Sequence, residues 1–207
     1  TVKALTADDL KRRVAKEAAT LLYFGAEKEY KQAKGKAAQT LGTHFLPSNL
    51  EVALELDKIA EENEGEKRKD RLVEMRSEAL RIMRLLGAFC PVLIGSVWRG
   101  TIRRGSDIDI AVYADDAEKV LSAIKAGGIR VQKTNWTTVN KKGATMESHH
   151  IYAETPTKHG LEIVVRSAEE ATKKRRCEIF GDEIKGLSIK DLEKVLSSNP
   201  TAQFIPQ

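Results

Sequence analysis

The stretch GSVWRGTIRRGSDIDIAV, residues 95–112, constrains this chain more than any other part of it. It closes on Asp107 and Asp109, one residue apart, with Ile108 and Ile110 alternating between and after them. Residues i and i+2 of a strand share a face. The two aspartates therefore look one way and the isoleucines the other, into a core. Like charges held that close repel, so the acidic face calls for a cation or a solvated edge. A pair of oxygen donors on a rigid strand suits Mg2+, which takes one or two carboxylates together with waters and substrate phosphates.

An isolated Asp-x-Asp is better explained by solvated residues at a strand end. The surroundings shift the balance. Gly95-Ser96 directly follows the apolar run VLI. A glycine there lets the backbone approach a phosphate, to which a free N–H and a hydroxyl can donate. Arg99, Arg103 and Arg104 add positive charge within the same loop.

Around this stretch the grammar of the chain changes. Up to Leu86 it reads as helices. Thr6 with Asp9, and Ser48 with Glu51, are capping signals ahead of periodic apolar segments. Gly42 and Gly87 are natural stops. From Leu72 through Met75, Ala79, Ile82 and Leu86 the spacing is helical. After Gly87 come short strands in CPVLIGS and DIDIAVY, then a helix in DDAEKVLSAIKAGG. Three β-like runs follow, IRVQKTNWTTV, ATMESHHIYAE and GLEIVVR, parted by the turn-rich NKKG and TPTKHG. Ser188 with Asp191 opens a last helix. This order predicts an all-helical region over residues 1–86 and an α/β or α+β region over 87–207.

At 207 residues, 41% hydrophobic and 31% charged, the composition is that of a soluble globular chain. Aromatics make up 5%, too few for base stacking to be the main business. The net charge of +5 and pI near 9.1 permit a polyanionic partner. The basic residues are nevertheless interleaved with acids, and only TKKRRCEIFG is a dense basic run, read more simply as a solvated surface. Cys90 and Cys177 fit neither a metal spacing nor a disulfide framework, and suggest small apolar residues in a reducing compartment. The opening residues resemble no signal peptide and no apolar run reaches membrane-span length, which leads to an expectation of a cytoplasmic protein away from membranes. Oligomeric state is not readable.

The segment LIGSVWRGTIRRGSDIDIAV resembles the signature of the DNA-polymerase-β-type nucleotidyltransferase superfamily. That signature is an apolar strand, Gly-Ser, a loop of roughly ten residues, and Asp-x-Asp between apolar residues. GS-x-x-RG and SDIDI are most similar to its minimal nucleotidyltransferase subgroup. The resemblance covers about twenty residues. It implies an α+β fold, a polymerase-β-like domain with a mixed sheet flanked by helices, here preceded by the helical N-terminal region. It also implies a third carboxylate on a later strand, and Glu162 in GLEIVVR fits, set opposite Leu161, Ile163 and Val165. Glu147 and Glu154 have more polar neighbours. On this basis Asp107, Asp109 and Glu162 are the catalytic and metal-binding set for Mg2+, with Mn2+ as a substitute, and Glu162 helps deprotonate an acceptor hydroxyl. Gly95, Ser96, Arg99 and Ser106 are the nucleotide-binding set.

The implied reaction moves a nucleoside monophosphate from an NTP to an acceptor hydroxyl and releases pyrophosphate. Basicity favours RNA as the acceptor over a small molecule. Two alternatives stand beside it: an antitoxin-like protein that binds and modifies a partner protein, and a non-catalytic nucleotide-binding relative. His149, His150 and His159 are expected to be ordinary strand and turn histidines. Trp136 and Tyr152 are expected to be strand residues of the sheet. Trp98 could contact a base or pack against a helix.

Overall fold

The computed structural model describes residues 6–206 except 142–143, with the backbone alone described for 139–141 and 144–146. The chain divides into two compact units. One runs up to Arg68 and takes in Arg176–Asp182; the other comprises Lys69–Arg175 and Glu183–Ile205.

The first unit holds α1 (Ala7–Tyr23), α2 (Tyr30–Thr40) and α3 (Asn49–Glu64). Capping boxes at Thr6/Asp9 and Ser48/Glu51 start α1 and α3, each satisfying backbone N–H groups that the first helical turn leaves open. Small residues dominate the core: Ala15, Ala18 and Ala19 from α1 meet Ala33, Ala37 and Ala38 from α2, with Val52, Leu56 and Ile59 from α3. Such side chains let helices pack closely, but each contributes little burial.

α4 (Glu66–Leu85) begins in that unit and continues into the second. Its Leu72, Met75, Ala79, Ile82 and Met83, followed by Leu86, are buried in the core of the sheet-bearing unit. The units thus divide at Arg68, whereas sequence alone places the change at residue 86. An amphipathic helix advertises an apolar stripe without naming what it packs against.

The second unit is α+β. Five strands, β1 (Val92–Ile94), β2 (Ile108–Tyr113), β3 (Arg130–Lys141), β4 (Ala144–Glu154) and β5 (Gly160–Arg166), form one mixed sheet in the order β1-β2-β5-β4-β3. Only β2 and β5 run parallel; every other neighbouring pair is antiparallel. α5 (Gly95–Arg99) follows β1, α6 (Ala117–Ala126) follows β2, and α7 (Ile189–Ser198) starts at a Ser188/Asp191 capping box. Ile108, Ile110, Val112, Leu161, Ile163 and Val165 fill one face of the sheet and are at most 4% exposed. The NKKG turn includes residues outside those described, as does the chain's opening pentapeptide. TPTKHG makes the β4–β5 turn, with Lys158 at positive φ.

No disulfide joins the cysteines. Cys90 is exposed and in a left-handed conformation, and Cys177 is partly buried. Among the described residues no helix is long and apolar enough to cross a membrane.

Candidate active site

The face of the sheet opposite its core carries the carboxylates. Asp109 of β2 and Glu162 of β5 are partners in register across the parallel pair, so both side chains rise from the same point on one face. Asp107 stands one residue ahead of β2 and feels the charge of Glu162, as Asp109 does. The structure therefore brings together all three acids singled out in the sequence.

Two glycines give these carboxylates their room. A Cβ on Gly95, whose φ is +72°, would lie 2.0 Å from Asp109 Oδ2. A Cβ on Gly160 would lie 2.0 Å from Asp107 Oδ1. Neither contact is sterically possible, and the positive φ of Gly95 is a second reason for glycine there. The Gly95 requirement thus comes from an aspartate at its back as well as from any ligand in front.

The electrostatics are unbalanced. Burial, then Glu162, then Asp107 push the Asp109 carboxyl up to about 7. Burial and Glu162 raise Asp107. Tyr152, paired with Glu162 across β4 and β5, is raised by burial, by the charge of Glu162 and by a hydrogen bond to it. A carboxylate set that lifts its own members in this way suits a cation that would relieve it. Among the described residues no three His, Cys, Asp or Glu side chains converge as a ready-made metal cage. Mg2+ does not require one, because it keeps several waters and takes only one or two carboxylates. The donor chemistry fits.

The remaining site candidates are placed as follows. Ser96 lies half-buried in the first turn of α5, and its carbonyl accepts the N–H groups of Gly100 and Thr101. Ser106 Oγ accepts the Arg103 N–H at 2.9 Å, and the Ser106 N–H donates to the Arg103 carbonyl at 3.0 Å. It shapes the turn that delivers Asp107. Arg99 is 3% exposed, its guanidinium lies 4.4 Å from the Trp98 ring, and it donates to the Phe204 carbonyl. It is buried against the C-terminal segment, and Trp98 is 5% exposed.

His150 and Tyr152 are the residues that sequence reasoning passed over. His150 Nδ1 lies 2.6 Å from Glu162 Oε1, and Ser148 Oγ lies 3.0 Å from His150 Nε2. The signal was period-2 spacing of Ser148, His150 and Tyr152, but only the β4–β5 register connects it to Glu162. The neighbouring His149 faces away and stacks on the exposed Trp136 at 4.7 Å. His159 bonds Glu74, and Glu154 pairs with Lys158 and Arg130, which removes the rival metal and acid candidates. Glu147 lines a separate cavity with Trp136 and His149. In the basic run, Lys174 pairs with Glu183 and Arg175 with Glu170.

Residues 91–176 match the family model described as "Nucleotidyltransferase domain". Among solved structures, the chain is similar to one described as "Structural Basis for the Activity of a Cytoplasmic RNA Terminal U-transferase", at 18% identity and a TM-score of 0.33. The match covers 53% of this chain and 34% of that one, so the chain spans about a third of that structure's length. No curated protein matches it.

Proposed function

We propose that this chain, whose residues 91–176 form a nucleotidyltransferase domain, transfers a nucleoside monophosphate from an NTP to an acceptor hydroxyl. The observation that carries the proposal is the in-register pair Asp109–Glu162, joined by Asp107 and backed by two obligatory glycines. In the reaction, the acceptor oxygen attacks the α-phosphorus, the bond from that phosphorus to the bridging oxygen breaks, and pyrophosphate leaves. The acceptor's proton passes to a carboxylate, for which Glu162 is the choice.

Asp107, Asp109 and Glu162 would hold Mg2+, or Mn2+ in its place. A bound divalent ion would supply charge neutralisation at the phosphates and a lowered pKa for the attacking hydroxyl. The chain's own residues do the positioning. Gly95 and Ser96 sit at the end of β1 next to Asp109, where the triphosphate is to lie. Holding acceptor and phosphate in line accounts for much of the rate in such chemistry. RNA is the favoured acceptor class, on the strength of the +5 net charge.

The test is transfer from labelled NTPs with Mg2+, offering total RNA and total lysate as separate acceptors. Wild type is expected to label RNA, and Asp109→Asn to lower transfer by about a thousandfold or more, the scale of losing a principal charge-stabilising group. Transfer that survives Asp109→Asn, or none with any NTP and either acceptor, defeats the reading. Label appearing on lysate protein and not on RNA would move the acceptor from RNA to a partner protein.

A further inference from the structure

The carboxylate of Glu162 is held from behind, and the residues that hold it are not among those the reaction itself needs. A glutamate has one more torsion than an aspartate, so its strand position does not by itself aim its carboxylate. At Glu162 the aim is supplied from the next strand. β4 runs antiparallel to β5, with Tyr152 opposite Glu162, His150 opposite Val164 and Ser148 opposite Arg166. All three β4 side chains share the carboxylate face. His150 therefore sits diagonally from Glu162 and reaches across to it, Nδ1 to Oε1, at 2.6 Å. Ser148 Oγ closes on the other ring nitrogen at 3.0 Å. The side chains of His150 and Glu162 are 19% and 25% exposed, so the pair is largely shielded from competing water.

The bonding pattern calls for a proton on Nδ1. An ionised carboxylate only accepts, so Nδ1 must donate to Oε1. In a neutral ring Nε2 is then an acceptor, and the Ser148 hydroxyl donates to it. Glu162 thus sets the tautomer, Ser148 completes the bonding of the ring, and His150 with Tyr152 aims the Glu162 carboxylate. The arrangement parallels the outer partners that orient ligands at metal sites, whose loss typically lowers affinity or activity by about 10–100-fold.

We infer that His150, backed by Ser148 on its other ring nitrogen, is the positioning residue for Glu162. The inference rests on the function proposed above for that carboxylate. Three readouts test it on the full chain. In single-turnover and steady-state transfer, His150→Ala is expected to lower kcat about 10–100-fold while KM for the NTP moves less than about threefold. His150→Asn, whose amide N–H can donate to Glu162, should recover a tenfold share of that loss, and Ser148→Ala should lose less than His150→Ala. Once Glu162 is Ala, adding His150→Ala should cost nothing further.

A second measurement needs no activity. Nitrogen-15 spectra of the imidazoles should show His150 protonated at Nδ1 and not at Nε2, a signature that disappears in Glu162→Ala. Unchanged kcat in His150→Ala, additive losses in the double variant, or the Nε2-protonated tautomer would each overturn the inference. If wild type transfers nothing, the function proposed for the site fails, and the imidazole spectra still decide whether His150 holds Glu162.

Discussion

Two arginines eight residues apart on α4, one in each unit, have their buried charge met in opposite ways. Arg68, in the helical unit, is 4% exposed and reaches two carboxylates, Asp57 and Glu61. Burial pulls its guanidinium down, but those two acids outweigh it and the net direction is up. Arg76, in the sheet unit, has no exposed surface at all. Its acceptors are the backbone carbonyls of Val97, Trp98, Pro200 and Ala202, at 2.7–3.1 Å. Burial brings it down to about 10. The first arginine is neutralised, whereas the second is satisfied only by dipoles. Asp109, in the same unit as Arg76, is also buried, and burial, Glu162 and Asp107 push its carboxyl up.

The carbonyls that Arg76 gathers belong to α5 and to the C-terminal segment, so this one side chain ties the helix after Gly95 to residues 200–202. Gly100, where a Cβ would lie 2.7 Å from the Ala202 carbonyl, lets the two backbones meet. Arg76→Met is therefore the sharpest way to break the contrast. It leaves four carbonyls without a donor and should destabilise the sheet unit by about 3–5 kcal/mol, read from denaturant melts. A loss below about 1 kcal/mol would mean that the C-terminal segment holds α5 without it.

Next in size is the pH dependence from Asp109. Its folded pKa of about 7 lies above the ordinary 3.8, so folding takes up a proton between those values. The stabilisation is complete below about pH 4, is lost as pH rises toward 7, and levels off above. The decline should be on the order of 2–4 kcal/mol. Asp109→Asn should flatten it, leaving the variant more stable than wild type at pH 8 and little different at pH 4. Mg2+ should raise the wild-type Tm at pH 8 and not at pH 4. A wild-type stability curve that rises from pH 4 to 7 would remove the case for an uncompensated Asp109.

The smallest effect belongs to the matched charge. Arg68→Met leaves Asp57 and Glu61, whose side chains are 18% and 45% exposed and can turn to water. We expect a loss of about 1–2 kcal/mol, well short of Arg76→Met. Equal losses from both variants would erase the distinction between the two arginines.

Much of this was legible in the residues themselves. Helix starts at Thr6, Ser48 and Ser188 were visible because a capping box is complete within four residues. The common face of Asp107 and Asp109 follows from the period of a strand, and Glu162 stood out by its apolar neighbours. His150 and Tyr152 were hidden because their link to Glu162 passes through strand pairing, and pairing register is not a local property. The surroundings of Arg99 were hidden for a related reason: Phe204, whose carbonyl it meets, lies 105 residues along the chain.

Sequence by itself therefore determined most of the elements, α5 excepted, the polarity of β2 and the chemistry of the acids, since each depends on backbone period and short-range bonding. Tertiary structure decided the rest. It set Glu162 beside Asp109, brought His150 behind Glu162, gave α4 to the sheet and buried Arg99 against the C-terminal segment. Those outcomes depend on which distant segments share a core, and no spacing within one segment can encode that.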